Sequence, residues 1–308
     1  MATYKEINGT AVQNYAGDLP GAADGQLWYN STATNFKFQY AATAAAWSTG
    51  GNLNTGRKSL AGSGTQTAAL GFGGDTGSLS ALTESYNGSA WTEVNDLQTA
   101  RSRLAGAGTN TAALAFGGDN PTRTETEIWN GTNWTEVNNL GTGRYLLAGC
   151  GTNTAALGFG GYAPGAPTVN TETWNGTNWT EVNNLNTNRY NLSGAGTNTS
   201  AIAIGGTPAP TGNTELWNGT NWTVVNNLNT ARQAGTAAGV SNTSALFFAG
   251  YDPSPPAGGT AKTESWNGTN WTETGDLNIN RRYMAGAGTQ TLALGFGGGP
   301  SISAATEE

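Results

Sequence analysis

Six arginines and six glutamates recur at matched positions along the chain, and by type and number they are the side chains best suited to chemistry. The arginines are Arg57, Arg101, Arg144, Arg189, Arg232 and Arg281, and the glutamates are Glu84, Glu127, Glu172, Glu215, Glu264 and Glu307. Two carboxylates facing one glycosidic bond can act as acid and base or nucleophile, and sialidases combine an arginine cluster with a tyrosine nucleophile. Other chemistries are closed off by composition. Histidine is absent, which removes imidazole acid–base catalysis, Ser-His-Asp triads and histidine-bearing metal sites. A copper oxidase of the galactose oxidase type needs histidine ligands and is excluded on the same ground. The single cysteine, Cys150, allows neither an internal disulfide nor a thiolate zinc site. It stands where other repeats carry Ser63 or Ala107, so it reads as a buried thiol and not as a nucleophile. No cofactor and no metal is expected.

The spacing of these groups decides how they are to be read. Each arginine follows a leucine by four positions (Leu53, Leu97, Leu140, Leu185, Leu228, Leu277), and each leucine follows a tryptophan by six (Trp47, Trp91, Trp134, Trp179, Trp222, Trp271). Successive tryptophans are 44, 43, 45, 43 and 49 residues apart. A period in the forties marks a repeat array in which each unit is one supersecondary element that cannot bury its apolar face alone. A catalytic site breaks the symmetry of its scaffold, whereas these residues preserve it. The six arginines and glutamates are therefore read as a ring of structural pairs or carbonyl-capping groups.

Within one repeat the pattern is that of strands, with no helical period anywhere. In the third unit, Tyr145 to Gly149 reads as a first strand, Gly151-Thr-Asn-Thr154 as a turn and Ala155 to Phe159 as a second strand ending at Gly160 and Gly161. Thr171 to Trp174 and Asn178 to Val182 follow, joined through Asn175-Gly176, a strong hairpin signal. Trp174 and Trp179 flank that turn and are expected on one face. Four strands per unit make a propeller blade. The small-residue runs Leu104-Ala-Gly-Ala-Gly108 and Met284-Ala-Gly-Ala-Gly288 suit the crowded innermost strand.

The expected fold is thus all-β, a six-bladed propeller of four-stranded antiparallel blades. Its units are 53–96, 97–139, 140–184, 185–227, 228–276 and 277–308. The last unit stops at Thr306-Glu-Glu308 before any aromatic strand, so residues 26–52, with Phe36 to Tyr40 and the strand around Trp47, are expected to complete it. Trp28 and Tyr29 extend that closing segment. Residues 1–25 do not match the repeat and read as an arm, either a mobile tail or a docking segment through which copies associate.

Net charge is −7, the isoelectric point is near 4.6, and six of the 13 basic residues are the repeat arginines. Nucleic acid, which demands clustered excess Lys and Arg, is not an expected partner. No stretch approaches the roughly 20 apolar residues of a membrane span, and the first residues do not read as a signal peptide. Asn-X-Thr triplets at Asn130, Asn133, Asn175 and Asn178 are read as turn residues.

The double glycine, the aromatic after it, the Trp and the Arg together resemble the Kelch repeat of β-propellers over Leu53 to Glu308. The sequence departs from that pattern in having Trp129, Trp174, Trp217 and Trp266 where Kelch repeats carry Tyr, which Tyr86 retains, and Ala249-Gly250 for the double glycine. Gly25-Gln-Leu-Trp-Tyr-Asn-Ser31, Phe36-Lys-Phe38 and Ala46-Trp47 resemble a module of tail-fibre and other virion proteins of marine bacteriophages. The resemblance implies a virion surface location.

What varies between units is the linker from the double glycine to the Thr-Glu pair, which holds 8, 7, 9, 7, 12 and 7 residues. In a four-strand meander these linkers share one face with the inter-blade segments, and the copied turns occupy the other. Loops that diversify on a fixed scaffold are where recognition is built. The candidate contacts, read as exposed, are Asp119, Asn120, Arg123, Tyr162, Tyr251 and Asp252, with the longest loop stiffened by Pro253, Pro255 and Pro256. Unconstrained drift of these loops is the plainer alternative. The copied face, with its ring of Asn, Thr and Trp, is a rival site for weak multivalent sugar binding. The expectation is a non-enzymatic virion component that binds a host-surface glycan or another virion protein. A propeller glycosidase and an intracellular Kelch-type protein scaffold are the alternatives.

Overall fold

Runs of two to six residues, punctuated by glycine pairs and Asn-Gly turns, form the strands of the ring, because each run is too short for any other buried element and its flanks demand tight turns. The computed structural model describes residues 13–16, 27–38, 46–119, 122–254 and 258–308. The chain divides into two units, Met1–Ala45 and Ala46–Glu308. Among the described residues there is no helix.

In the second unit the described strands form six antiparallel blades around a common axis. In blade 2, Ala105–Gly108, Ala113–Phe116, Thr126–Trp129 and Trp134–Val137 lie in that order from the axis outward. Blade 3 repeats it with Ala148–Gly151, Ala156–Phe159, Thr171–Trp174 and Trp179–Val182. Its inner strand begins three residues later than the sequence pattern suggests. Leu146 takes a left-handed backbone (φ 53°), which keeps the chain before it out of the ladder. In blade 6 the sheet contains Ala285–Gly288, Ala293–Phe296 and Thr306–Glu307. Alongside Thr306–Glu307, Ser48 and Glu308 exchange backbone hydrogen bonds (2.8 and 2.9 Å), and the Gly50 amide donates to Thr306 O.

The expected contribution of Phe36 to Tyr40 to this blade is corrected by the structure. Asn35–Phe38 pairs with Leu27–Asn30, which also pairs in parallel with Gln13–Tyr15, in a separate three-stranded sheet of the first unit. Tyr29 and Phe36 face each other there at 5.2 Å, so the aromatic pair is consumed locally. Tyr40 and most of the arm 1–25 lie outside the described residues.

Three hydrogen-bond systems run around the ring. The outer-strand Trp indole of blades 1 to 5 donates to a Thr of the preceding blade, Trp91 to Thr306, Trp134 to Thr83, Trp179 to Thr126, Trp222 to Thr171 and Trp271 to Thr214, and Trp47, outside any strand, donates likewise to Thr263 of blade 5. Five of these rings pack on that neighbour's second-strand phenylalanine, as Trp134 does on Phe72 at 4.9 Å and Trp47 on Phe248 at 4.7 Å, and blade 4 has Ile204 in that place, in one cluster with Trp271. Nearer the axis the second glycine of each pair donates to the next arginine's carbonyl, from Gly74 to Arg101 O round to Gly298 to Arg57 O. Innermost, six residues bond amide to carbonyl in a closed circle: Arg103 to Ser59, Leu146 to Arg103, Asn191 to Leu146, Ala234 to Asn191, Tyr283 to Ala234 and Ser59 to Tyr283, at 2.7–3.0 Å. Inner strands crowd one another here. A Cβ on Gly106 would stand 2.7 Å from Phe72 and 3.0 Å from Gly62 O.

The repeat arginines are all buried, and each spans the base of its own variable linker. Arg189 Nη1 donates to Gly205 O (2.8 Å) and Asn213 O (2.9 Å), and its Nη2 reaches Glu215 (2.9 Å). The other Glu215 oxygen accepts from the Asn186 amide at 2.8 Å. Equivalent pairs join Arg57–Glu84, Arg101–Glu127, Arg144–Glu172, Arg232–Glu264 and Arg281–Glu307 at 2.6–2.9 Å. Burial pulls the guanidinium pKa values down, and the glutamates oppose it.

Arg189→Ala leaves a buried carboxylate and two carbonyls without their donor. The unfolding free energy measured by denaturant titration is expected to fall by about 3–5 kcal/mol. The double variant Arg189→Met with Glu215→Leu is expected to remain destabilised, unlike a simple buried pair replaced by apolar groups. Gly205 O, Asn213 O and the Asn186 amide lose partners at about 1–3 kcal/mol for each group left unmade. Wild-type stability of the double variant would show that the carbonyl bonds contribute nothing.

Candidate binding face

The two ends of the ring differ in how their polar side chains are used. At the end formed by the copied turns, Asn130 Oδ1 accepts from the Thr132 and Asn133 amides, and Asn175 and Asn218 repeat the turn. The next asparagines clamp neighbouring blades: Asn95 donates to Asn133, Asn138 to Asn178, Asn183 to Asn221 and Asn226 to Asn270 at 2.8–2.9 Å. Trp134 and Trp222 are 4% and 6% exposed, and Trp179 is half-buried. Their faces are spent on blade packing and offer no open stacking platform for a sugar.

At the opposite end the residue after each repeat arginine lies against the variable linker of its own blade. Lys58 bridges to Asp75, Tyr145 to Tyr162, Tyr190 to Thr207, Gln233 to Tyr251 and Arg282 to Gly299. The linkers of blades 3 and 5 fold into short hairpins, Tyr162–Ala163 with Ala166–Pro167 and Tyr251–Asp252 with Gly258–Gly259. Asp119 accepts from Ser102 and from Arg103, both at 2.8 Å. Arg123 pairs with Glu125 of its own linker at 2.7 Å. Tyr162 lies between Tyr145 and Tyr190, with both ring centroids 5.3 Å away. Arg103 stands 6.0 Å over Tyr145, so Asp119, Arg103, Tyr145, Tyr162 and Tyr190 form one arc across blades 2 to 4. Burial, with Tyr162 next in effect, raises the Tyr145 phenol pKa.

Tyr251 belongs to a second cluster, where the Arg282 guanidinium packs over Tyr251 at 5.3 Å and Tyr283 at 5.6 Å. Asp252, read from sequence as an exposed contact, is buried at 8% exposure. The Ser254 amide (2.8 Å) and Lys262 Nζ (3.0 Å) hold it inside its hairpin. Asn120, Pro255 and Pro256 lie outside the described residues. The sequence reading passed over Arg103, Tyr145, Tyr190, Arg282 and Tyr283. Their signal was present in the two positions after each repeat arginine: the first varies between units, with Tyr shared by Tyr145 and Tyr190, and the second differs in all six, while the arginine does not change.

No free carboxylate pair comes from the repeat glutamates: each is buried and accepts from an arginine and a backbone amide. Among the described residues no group of three Cys, Asp or Glu side chains has metal-binding geometry. Cys150 is buried on an inner strand with its thiol pKa pushed up to about 12 by desolvation. Neither a known family nor a curated protein matches the chain.

Two outcomes follow from these environments. A thiol reagent at pH 8 is expected to label Cys150 only after denaturation, since a buried thiol with so high a pKa holds almost no thiolate; labelling of native protein at the unfolded rate would contradict the burial. Burial acts to raise the Asp252 pKa, but the Ser254 and Lys262 bonds outweigh it and leave the value lowered. A depressed folded-state pKa gives stability that is complete above the unfolded value, near about 3.9, and is lost as pH falls through the folded one. Exchange of the Tyr251 amide, bonded to Gln233 O, should therefore accelerate on acidification below about pH 4 more in wild type than in Asp252→Asn.

Proposed function

We propose that the protein is a non-enzymatic binding component of a virion surface, and that the arc from Asp119 to Tyr190 contacts a host-surface glycan. The observation that carries this reading is the arc itself: three tyrosines in tilted and edge-on ring contact and a paired arginine, supplied by positions that vary between blades, on a scaffold whose other residues are nearly copied. Tyrosine rings combine an apolar face with a polar tip and suit the alternating C–H and hydroxyl surfaces of a sugar. The Kelch-like repeat pattern supports a binding role, and the likeness of Gly25 to Trp47 to phage tail-fibre modules supports the virion location. The repeat arginines and glutamates, buried and paired with each other and with backbone groups, favour this reading over a glycosidase.

The double variant Tyr162→Ala with Tyr190→Ala is the direct test, using glycan arrays and intact bacterial cells as the targets. Binding should weaken at least about tenfold per tyrosine ring lost, an energy of roughly 1.4 kcal/mol. The thermal midpoint should stay within a few degrees, because both rings lie outside the blade core. Undiminished binding by the double variant would remove the arc from the contact surface.

A further inference from the structure

Six residues form the innermost circle of backbone hydrogen bonds, and all six have positive φ: Ser59, Arg103, Leu146, Asn191, Ala234 and Tyr283, at 53–56°. A side chain in this conformation costs about 1–2 kcal/mol that glycine avoids. The chain has 47 glycines and uses them at most of its other left-handed positions, including the first residue of every double-glycine pair but one. None stands in this circle. The Cβ is thus retained at six strained positions, and no two of the six side chains are alike, although the arginine two residues earlier and the Ala or Gly residues after them are nearly copied.

These six side chains ring the mouth of an axial cavity of about 150 Å³ at the variable-linker end. That is well above the ~10–15 Å³ that one water requires. Deeper along the axis a second cavity of about 110 Å³ is lined only by Gly, Ala, Ser and Cys, and carries no comparable diversity. One group at the mouth is left with an open valence. Asn191 is 9% exposed, its Nδ2 donates to Gln233 Oε1 at 3.3 Å, and its Oδ1 is buried with no hydrogen-bond partner. A buried amide oxygen without a donor is costly and calls for one from outside the chain. The one charged member of the circle, Arg103, is already neutralised by Asp119 at 2.8 Å, so the mouth does not select an anion. Hydroxyls at Ser59 and Tyr283, the amide of Asn191 and the alkyl groups of Leu146 and Ala234 alternate around it.

From this we infer that the mouth of the axial cavity is a subsite for one neutral sugar ring, with a sugar hydroxyl donating to Asn191 Oδ1. The inference rests on the reading that this face binds carbohydrate, and it names the monosaccharide-sized pocket next to the tyrosine arc. A pyranose fits the chemistry because each hydroxyl both donates and accepts, while its C–H face can cover Leu146 and Ala234.

The test titrates the full chain with glucose, galactose, mannose and N-acetylglucosamine, read by saturation-transfer NMR, alongside N-acetylneuraminic acid as the anionic control. Asn191→Leu and Asn191→Asp are compared with wild type. Both should fold, because leucine and alanine already occupy equivalent left-handed positions at Leu146 and Ala234. The expected result is binding of at least one neutral sugar, about tenfold or more weaker in Asn191→Leu and largely restored in Asn191→Asp, which keeps the acceptor. Equal binding by Asn191→Leu overturns the subsite while leaving the tyrosine arc intact as a glycan surface. Binding of the anionic sugar alone, or of none of the panel with only an ordered water on Asn191 Oδ1 in a crystal structure, also overturns it. Loss of glycan binding in the Tyr162 and Tyr190 variant with monosaccharide binding unchanged would separate the two surfaces.

Discussion

The buried guanidinium of each repeat arginine is the interaction on which the rest of the ring depends. Its Nη1 holds two carbonyls, one at the first residue after the second strand (a glycine, except Ala249 in blade 5) and one at the last residue before the third, so a single nitrogen pins both ends of the variable linker. Between those pins the chain can be seven residues long in blade 4 or twelve in blade 5 without altering the strands on either side. Only arginine combines several donors in a rigid fork with a charge that survives burial. The glutamate neutralises that charge and turns its second oxygen to the linker entering the blade. Inter-blade segment, linker and third strand are thereby fixed to one buried group.

Burying six ion pairs is expensive, and such pairs are seldom net stabilising when they only replace water. Here they replace backbone donors and acceptors that the irregular linkers cannot pair among themselves. The comparison that matters is thus with unsatisfied carbonyls inside the protein and not with an apolar core. The aromatic wedges do separate work. Away from the axis the space between blades widens, and Trp129, Trp174, Trp217 and Trp266 fill it with under 3% exposure while their indole nitrogens bond turn carbonyls. Near the axis the strands come so close that at Gly106 not even a Cβ fits beside the neighbouring strand.

The fold was legible because a closed ring of equal blades must repeat its packing residues, and a repeat is visible without any structure. The period, the strand count and the pairing of Trp174 with Trp179 all follow from spacing. The site was less legible, for a physical reason. Loop length and composition report where the chain is free to vary, but Asp252 shows that a varying residue can be used up inside its own hairpin. Conversely Tyr145 looked like the start of a strand, because an apolar residue before Leu146 and Leu147 fits that pattern. What displaced it is a backbone angle at Leu146, and a positive φ at leucine leaves no mark in composition. The N-terminal aromatic strand was misplaced for a related reason: Phe36 and Trp47 both suit an outer strand, and sequence does not say which partner each will find.

Closing the ring and diversifying its mouth are linked through that same angle. Each of the six residues must turn its amide towards the preceding blade and its carbonyl towards the next, and the left-handed conformation achieves both at once. Glycine would meet that demand with less strain. It would also leave the axis lined by backbone alone, as the deeper cavity nearly is. Keeping a side chain there places six unlike groups within one cavity mouth, held by hydrogen bonds that do not depend on what the side chains are. Substitution at these positions is then nearly independent of the scaffold, because Ser59, Leu146, Ala234 and Tyr283 all satisfy the same circle with φ within a few degrees of each other. A ring built this way can change what its mouth presents without re-solving how its blades pack.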